Sequence, residues 1–210
     1  MRGGTLTTSA HQTAVAEEDL LRADLYGFLA ALLSAPPDAG TLARAAALEG
    51  DDSPLGEAVG ALGRVAAGTT PKAAEREFNQ LFIGVGRGEL LPYASYYMTG
   101  FLNEKPLALL RQDMRRLGIE RSPNVFEPED NIATLCEIMA GLIQGRFGDP
   151  APLTLQAEFH GRHLAPWAGH FFSDLERAEH SVLYAPVGTI GRVFMEIEQE
   201  AFRLGAAPMM

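Results

Sequence analysis

The stretch Phe126-Glu-Pro-Glu-Asp-Asn-Ile-Ala-Thr-Leu-Cys-Glu-Ile-Met-Ala-Gly-Leu-Ile143 decides the fold class. An acidic turn, Glu127-Pro128-Glu129-Asp130, runs straight into residues whose apolar members, Ile132, Leu135, Ile138, Met139 and Leu142, recur at helical spacing. Proline is tolerated in the first turn of a helix, where its missing N–H has no partner to lose. Carboxylates there meet the positive end of the helix dipole. The spacing therefore predicts a buried helix over 127–147, with Asp130 and Asn131 on its exposed first turn. Chemistry leaves two readings of Asp130 open, a helix-start carboxylate or a binding group at the mouth of the helix.

Working outward, the same period recurs along the chain. It predicts helices over 15–33, 38–48, 54–67, from Thr70 through Phe78, Leu81 and Phe82, and then over 105–117, 152–164, 166–177 and 187–204. Start and stop signals support these limits: Thr70-Pro71 as cap and first helical residue, Gly118 as a C-terminal cap, and Gly148-Asp149-Pro150 as a stop. No alternating strand pattern of useful length and no repeat is found. The expected class is all-α, a single-domain multi-helix bundle of roughly eight to ten helices, residues 14–210, behind a disordered tail over 1–13.

A second block, Leu81-Phe82-Ile83-Gly84 through Pro92-Tyr93-Ala94-Ser95-Tyr96-Tyr97, has no regular period and is broken by Gly84, Gly86, Gly88 and Pro92. It reads as a loop carrying aromatic side chains. Such rings either recognise a partner or cap the core; the pattern does not choose between them.

Composition narrows the function. The 210 residues carry a net charge of −10 and are 47% hydrophobic and 21% charged. That balance argues against general nucleic-acid binding, which needs a basic face for phosphates, and suits a cationic peptide, since opposite charge steers encounter. The lone Cys136 excludes an intramolecular disulfide and reads as an inert core thiol. The longest strongly apolar run, Leu25–Leu33, is nine residues, against the ~20 that span a bilayer. With no continuous apolar segment near Met1, the expectation is a cytoplasmic protein without stable membrane insertion.

Catalytic signatures are weak. His160 and His163 share a helix face, but no Glu-x-x-His or His-Glu-x-x-His motif occurs, so no metal site is expected. His163 in His-Leu-Ala-Pro-Trp reads as a hydrogen-bonding structural residue. Trp167, Phe171 and Phe172 read as core. Gly84-Val-Gly-Arg-Gly88 follows a helix and lacks the lysine and serine of a phosphate loop, so it reads as a flexible connector.

Four segments resemble the TorD/DmsD family of cytoplasmic chaperones that mature molybdoenzymes. They are Leu81–Gly84, Pro92–Tyr97, Glu127–Asn131, and Phe159–Phe172 followed by Tyr184 and a terminal helix. The resemblance runs from Leu20 to Leu204. It departs at Asn131, where the family pattern has histidine; asparagine keeps a donor and an acceptor but does not titrate near neutrality.

The resemblance implies a binding protein without enzymatic activity or cofactor. It would hold the twin-arginine leader, or the apo-form, of a molybdenum-cofactor oxidoreductase such as a formate dehydrogenase or a sulfoxide or N-oxide reductase, until cofactor insertion and export. The implied contacts are Phe78, Leu81, Phe82, Pro92, Tyr93, Ser95, Tyr97, Glu127, Asp130 and Asn131, the leader arginines approaching Asp130 and Glu127. An alternative is a cofactor- or nucleotide-binding assembly factor acting on the mature enzyme complex without leader recognition.

Overall fold

The computed structural model describes residues 15–121 and 127–205. The tail expected over 1–13 lies outside the described residues. Among the described residues ten α-helices follow one another: α1 (Glu17–Ser34), α2 (Ala39–Ala46), α3 (Pro54–Gly68), α4 (Pro71–Phe78), α5 (Ala94–Thr99), α6 (Lys105–Arg116), α7 (Ile132–Gln144), α8 (Leu153–His163), α9 (Ala168–Arg177) and α10 (Tyr184–Gly205). Among the described residues there is no strand, only one isolated antiparallel bridge between Tyr93 and Asn131. The all-α class is borne out.

Local chemistry sets the helix starts. Asp38 accepts from Thr41 N, Ser53 from Gly56 N and Thr70 from Ala73 N, each satisfying a donor the helix leaves orphaned. The start of α7 differs from the sequence expectation. Asn131 is its N-cap, accepting from Ala133 N at 2.9 Å, and Glu127–Asp130 form a turn before it. Pro128 therefore lies outside the helix, and Asn131 does the capping expected of an acid.

α7 is buried around nearly its whole circumference, as befits the central helix of a bundle. α1 lies along it, while α10 packs against α9 and α3, and α2 against α3. One continuous core fills the centre, with Tyr26, Trp167, Phe171, Phe172 and Tyr184 its largest fully buried side chains. Trp167, Phe171 and Phe172 are thus core, as the sequence indicated.

Three buried polar nodes tie distant segments together. Arg22 of α1 reaches Glu198 of α10 through Nε and Nη2, both at 2.7 Å, and Tyr26 also donates to Glu198. The Glu77 carboxylate accepts from Val182 N at 2.7 Å and Tyr184 N at 2.9 Å, so a side chain of α4 caps α10. His163 Nε2 lies 2.8 Å from Asp113, which also holds Arg162, and the His163 carbonyl accepts from Trp167 Nε1. That node confirms the structural reading of His163.

After Phe78 the chain continues as one π-helical turn, Asn79–Ile83. The glycine segment then folds back tightly: Glu89 N and Leu90 N donate to the carbonyls of Gln80 and Leu81. Gly84 has φ +62°, and a Cβ there would lie 1.8 Å from Arg87 O; one on Gly88 would lie 2.5 Å from Phe82 C. These glycines allow close backbone approach, a different role from the flexible connector expected.

Candidate functional site

The aromatic block and the acidic turn, 30 or more residues apart in sequence, are bonded to each other. Ala94 N donates to Asp130 O at 3.0 Å and Ile132 N to Pro92 O at 2.9 Å. The aromatic block, expected as a loop, forms α5 beyond Tyr93. The helix is short, and its apolar residues face two sides, which hides its period from a window-based reading.

This junction corrects the reading of Asp130. Its carboxylate is 1% exposed and accepts from Ser95 N at 2.8 Å and Ser95 Oγ at 2.5 Å. The pairing with α5, invisible along the chain, turns a predicted exposed helix-start acid into a buried bracket. Ser95 is itself fully buried, and its Oγ accepts from Glu104 N at 3.3 Å.

Beside the junction lies a cavity of about 270 Å³. Of the residues singled out from sequence, Phe78, Phe82, Pro92, Tyr93, Glu127 and Asn131 line it. Leu81 is fully buried in the core. Ser95 and Asp130 form the bracket behind the wall. Tyr97 turns to the far side, stacking near Trp167 and Phe171 and donating to Asp174 at 2.9 Å. The structure thus gathers six of the ten residues and separates four.

The rings owe their placement to the π turn, which inserts an extra residue per turn and rotates Phe82 relative to Phe78. Phe78 and Phe82 meet edge-on at 5.0 Å, and Phe82 meets Tyr184 at 5.5 Å. Tyr184 is fixed by donating to Leu32 O. The aromatic wall of the cavity is therefore apolar and backed by the buried Tyr184.

The sequence reading missed Leu33, Ser34, Ile83, Thr134 and Glu137, which also line it. Glu137 carries a legible signal, being the one charged residue within α7. A second cavity, of about 300 Å³, shares Glu127, Thr134 and Glu137 with the first and continues to Met114, Ile119, Ile138 and Phe147. The two adjoin at Glu127, Thr134 and Glu137, so carboxylates mark the middle; the first cavity is mainly apolar, while the far end of the second mixes its apolar residues with Glu120, Glu129 and the cations Arg121 and Arg146.

Electrostatics sharpen that middle. Glu129 is committed: burial opposes its ionisation, but Arg111 at 2.7 Å and Arg121 hold it below the usual carboxylate range. Glu127 accepts from the Tyr93 hydroxyl, which burial and that carboxylate push well above the ordinary phenol range. Neither Glu127 nor Glu137 pairs with a cation among the described residues. Among those residues, no group of three or more histidine, cysteine or acidic side chains is arranged to hold a metal ion. Among the described residues no helix is long and apolar enough to cross a membrane.

An aromatic wall beside carboxylates that make no ion pair among the described residues has the chemistry to accept a cationic, partly apolar segment. Comparison with known proteins places the chain more closely. A family model described as nitrate reductase delta subunit matches residues 48–173, more than half of the chain. The chain belongs to this family, to which the TorD-like motifs pointed.

Among curated relatives, the chaperone protein TorD of Vibrio cholerae is 29% identical over 127 residues, 57% of this chain and 58% of the relative. TorD of Aliivibrio fischeri is 26% identical over 132 residues, 58% of this chain and 60% of the relative. The chain thus spans less than two thirds of these curated relatives. A solved structure from Archaeoglobus fulgidus, titled a putative redox enzyme maturation protein, aligns with a TM-score of 0.56 at 23% identity, covering 84% of this chain and 94% of that one. That likeness bears on the fold.

Proposed function

We propose that this protein is a chaperone for molybdoenzyme maturation. It binds the twin-arginine leader of a molybdenum-cofactor oxidoreductase apoprotein in the cytoplasm and acts by binding alone. The observation that carries this reading is the pair of adjoining cavities along α7, where the aromatic wall of Phe78 and Phe82 lies beside Glu127 and Glu137, carboxylates that make no ion pair among the described residues. A leader combines an arginine pair with an apolar stretch. Its arginines would approach Glu127 and Glu137, and its apolar side chains would lie on Phe78, Phe82 and Ile83. Family membership and the TorD relatives support the same reading.

Magnitudes divide the labour. Exposed charge pairs contribute ~0–1 kcal/mol each, whereas an apolar side chain buried in full is worth about 1.5–3 kcal/mol. Affinity then comes mainly from the rings and selectivity from the carboxylates. A micromolar Kd, about −8 kcal/mol, is the expected scale.

Calorimetry with a synthetic twin-arginine leader and its Arg-Arg→Ala-Ala control tests this. Saturable binding that weakens in the control, and in Phe82→Ala and Glu137→Gln, is the expected result. Absence of binding by the folded protein to every leader tried, or indifference to the arginines, would overturn leader recognition.

A further inference from the structure

The two cavities along α7 are built differently, and the difference has a direction. Both take Glu127, Thr134 and Glu137 as a common wall. Beyond that wall the first cavity continues over Leu33, Phe78, Phe82 and Ile83, with no further charged side chain among the described residues that line it. The second, of about 300 Å³, sets Met114 and Phe147 beside Glu120, Glu129, Arg121 and Arg146.

The far wall of the second cavity is fixed by the end of α7. Gly145, at φ +73°, closes the helix in the left-handed conformation, and Arg146 N donates back to Gly141 O at 2.9 Å. A Cβ on Gly141 would lie 2.4 Å from the Phe147 ring, so that glycine lets the ring rest on α7. Phe147 is 40% exposed. Arg146 Nε donates to Gln144 at 2.8 Å, and its guanidinium pairs with no carboxylate among the described residues. Glu129 is held by Arg111 and Arg121, whereas Glu120, Glu127 and Glu137 make no ion pair among the described residues. Unpaired carboxylates thus outnumber the unpaired cation, and the second cavity favours a polar, cationic occupant.

A twin-arginine leader has an order of its own: a polar, positively charged front, the arginine pair, then an apolar stretch. With the pair at Glu127 and Glu137, its two flanks leave toward different cavities. The apolar stretch in the second cavity would strip water from Glu120, Arg121 and Arg146 and return no hydrogen bond, which is costly. In the first cavity it meets rings and aliphatic groups, where its burial is favourable. A polar front segment in the second cavity keeps hydrogen-bonding partners for its backbone and carboxylates for its charge.

We propose that the second cavity is the subsite for the leader segment that precedes the arginine pair, so that the leader threads from Phe147 toward Phe78 and Phe82. The assignment rests on the proposed leader recognition at α7. Phe147 covers a side chain of that front segment, Glu120 meets its positive charge, and Arg146 donates to its carbonyl groups. A leader that begins at its arginines leaves this subsite empty.

The test uses the full-length chain and synthetic twin-arginine leaders. One leader carries p-benzoylphenylalanine shortly before the arginine pair, and another carries it in the apolar stretch. After irradiation and proteolysis, mass spectrometry finds the front label on Met114, Ile138 or Phe147 and the rear label on Leu33, Phe82 or Ile83. Anisotropy titrations then compare an intact leader with an N-acetylated one that starts at its first arginine, both carrying fluorescein at the C-terminus. Phe147→Ala weakens the intact leader about five-fold and leaves the shortened one at the parent level. Phe82→Ala weakens both. Exchanged labels, both labels in one cavity, or the same effect of Phe147→Ala on the two leaders would overturn the proposal. If binding still depends on the arginines, those results leave leader recognition standing. Absence of binding of every leader by the folded parent protein removes both.

Discussion

Replacing Asp130 with alanine should cost far more stability than removal of a helix-start acid. An exposed cap contributes ~0.5–2 kcal/mol. Asp130 instead gives a buried carboxylate two hydrogen bonds, from Ser95 N and Ser95 Oγ. Bonds to a charged group are worth ~1.5–3 kcal/mol each, and the alanine leaves both donors buried without an acceptor. The expected loss is thus about 3–5 kcal/mol, a large part of a typical stability of ~5–15 kcal/mol. Asp130→Asn keeps one acceptor oxygen in place, so it should cost distinctly less. Urea unfolding followed by circular dichroism measures both, with the slope checked for constancy so that midpoints compare directly. Leader binding supplies the second readout: Asp130→Asn, if folded, should bind nearly as the parent does, since the carboxylate supports the wall from behind. A stability loss below about 1 kcal/mol in the alanine variant would refute the bracket. A folded Asp130→Asn that loses leader binding would return Asp130 to the ligand.

Arg22→Ala strands the Glu198 carboxylate, 1% exposed, without its cation, and should cost about 3–5 kcal/mol in the same unfolding assay. His160 gives the fold an acid limit. Burial, opposed by Glu198, lowers its pKa from 6.5 to about 4. The unfolded state therefore binds the proton first, and stability is full above pH 6.5 and falls as pH drops from 6.5 toward 4; His160→Phe should flatten that part of the stability curve. Gly188→Ala reverses the usual helix preference for alanine: its Cβ would lie 2.5 Å from Glu176 N and 2.8 Å from Phe172 O, so α9 and α10 must part at about 1–3 kcal/mol, measurable by thermal unfolding. Cys136, fully buried with its thiol pushed up by burial, should react with Ellman's reagent only after unfolding; rapid reaction of the native protein would mean that α7 opens.

The sequence by itself determined nine of the ten helices described, the Thr70 cap and the aromatic core around Trp167, because these follow from nearest neighbours and from a period of 3.6 residues. The Thr70 cap at the start of α4 and the burial of Trp167, Phe171 and Phe172 were all legible in this way. The two informative blocks were also legible as blocks. What only the tertiary structure decided was how they meet. A hydrogen bond between Ser95 and Asp130, 35 residues apart, leaves no periodic trace, and it changes an expected surface acid into a buried bracket. The same holds for Glu77, whose role as a cap for α10 spans more than 100 residues. Glu137 looked like one charge in an apolar helix until α7 was set beside the acidic turn, where it became the shared wall of two cavities. Local order is written in spacing, whereas exposure and charge pairing depend on which helices pack together, and long-range packing alone fixes that.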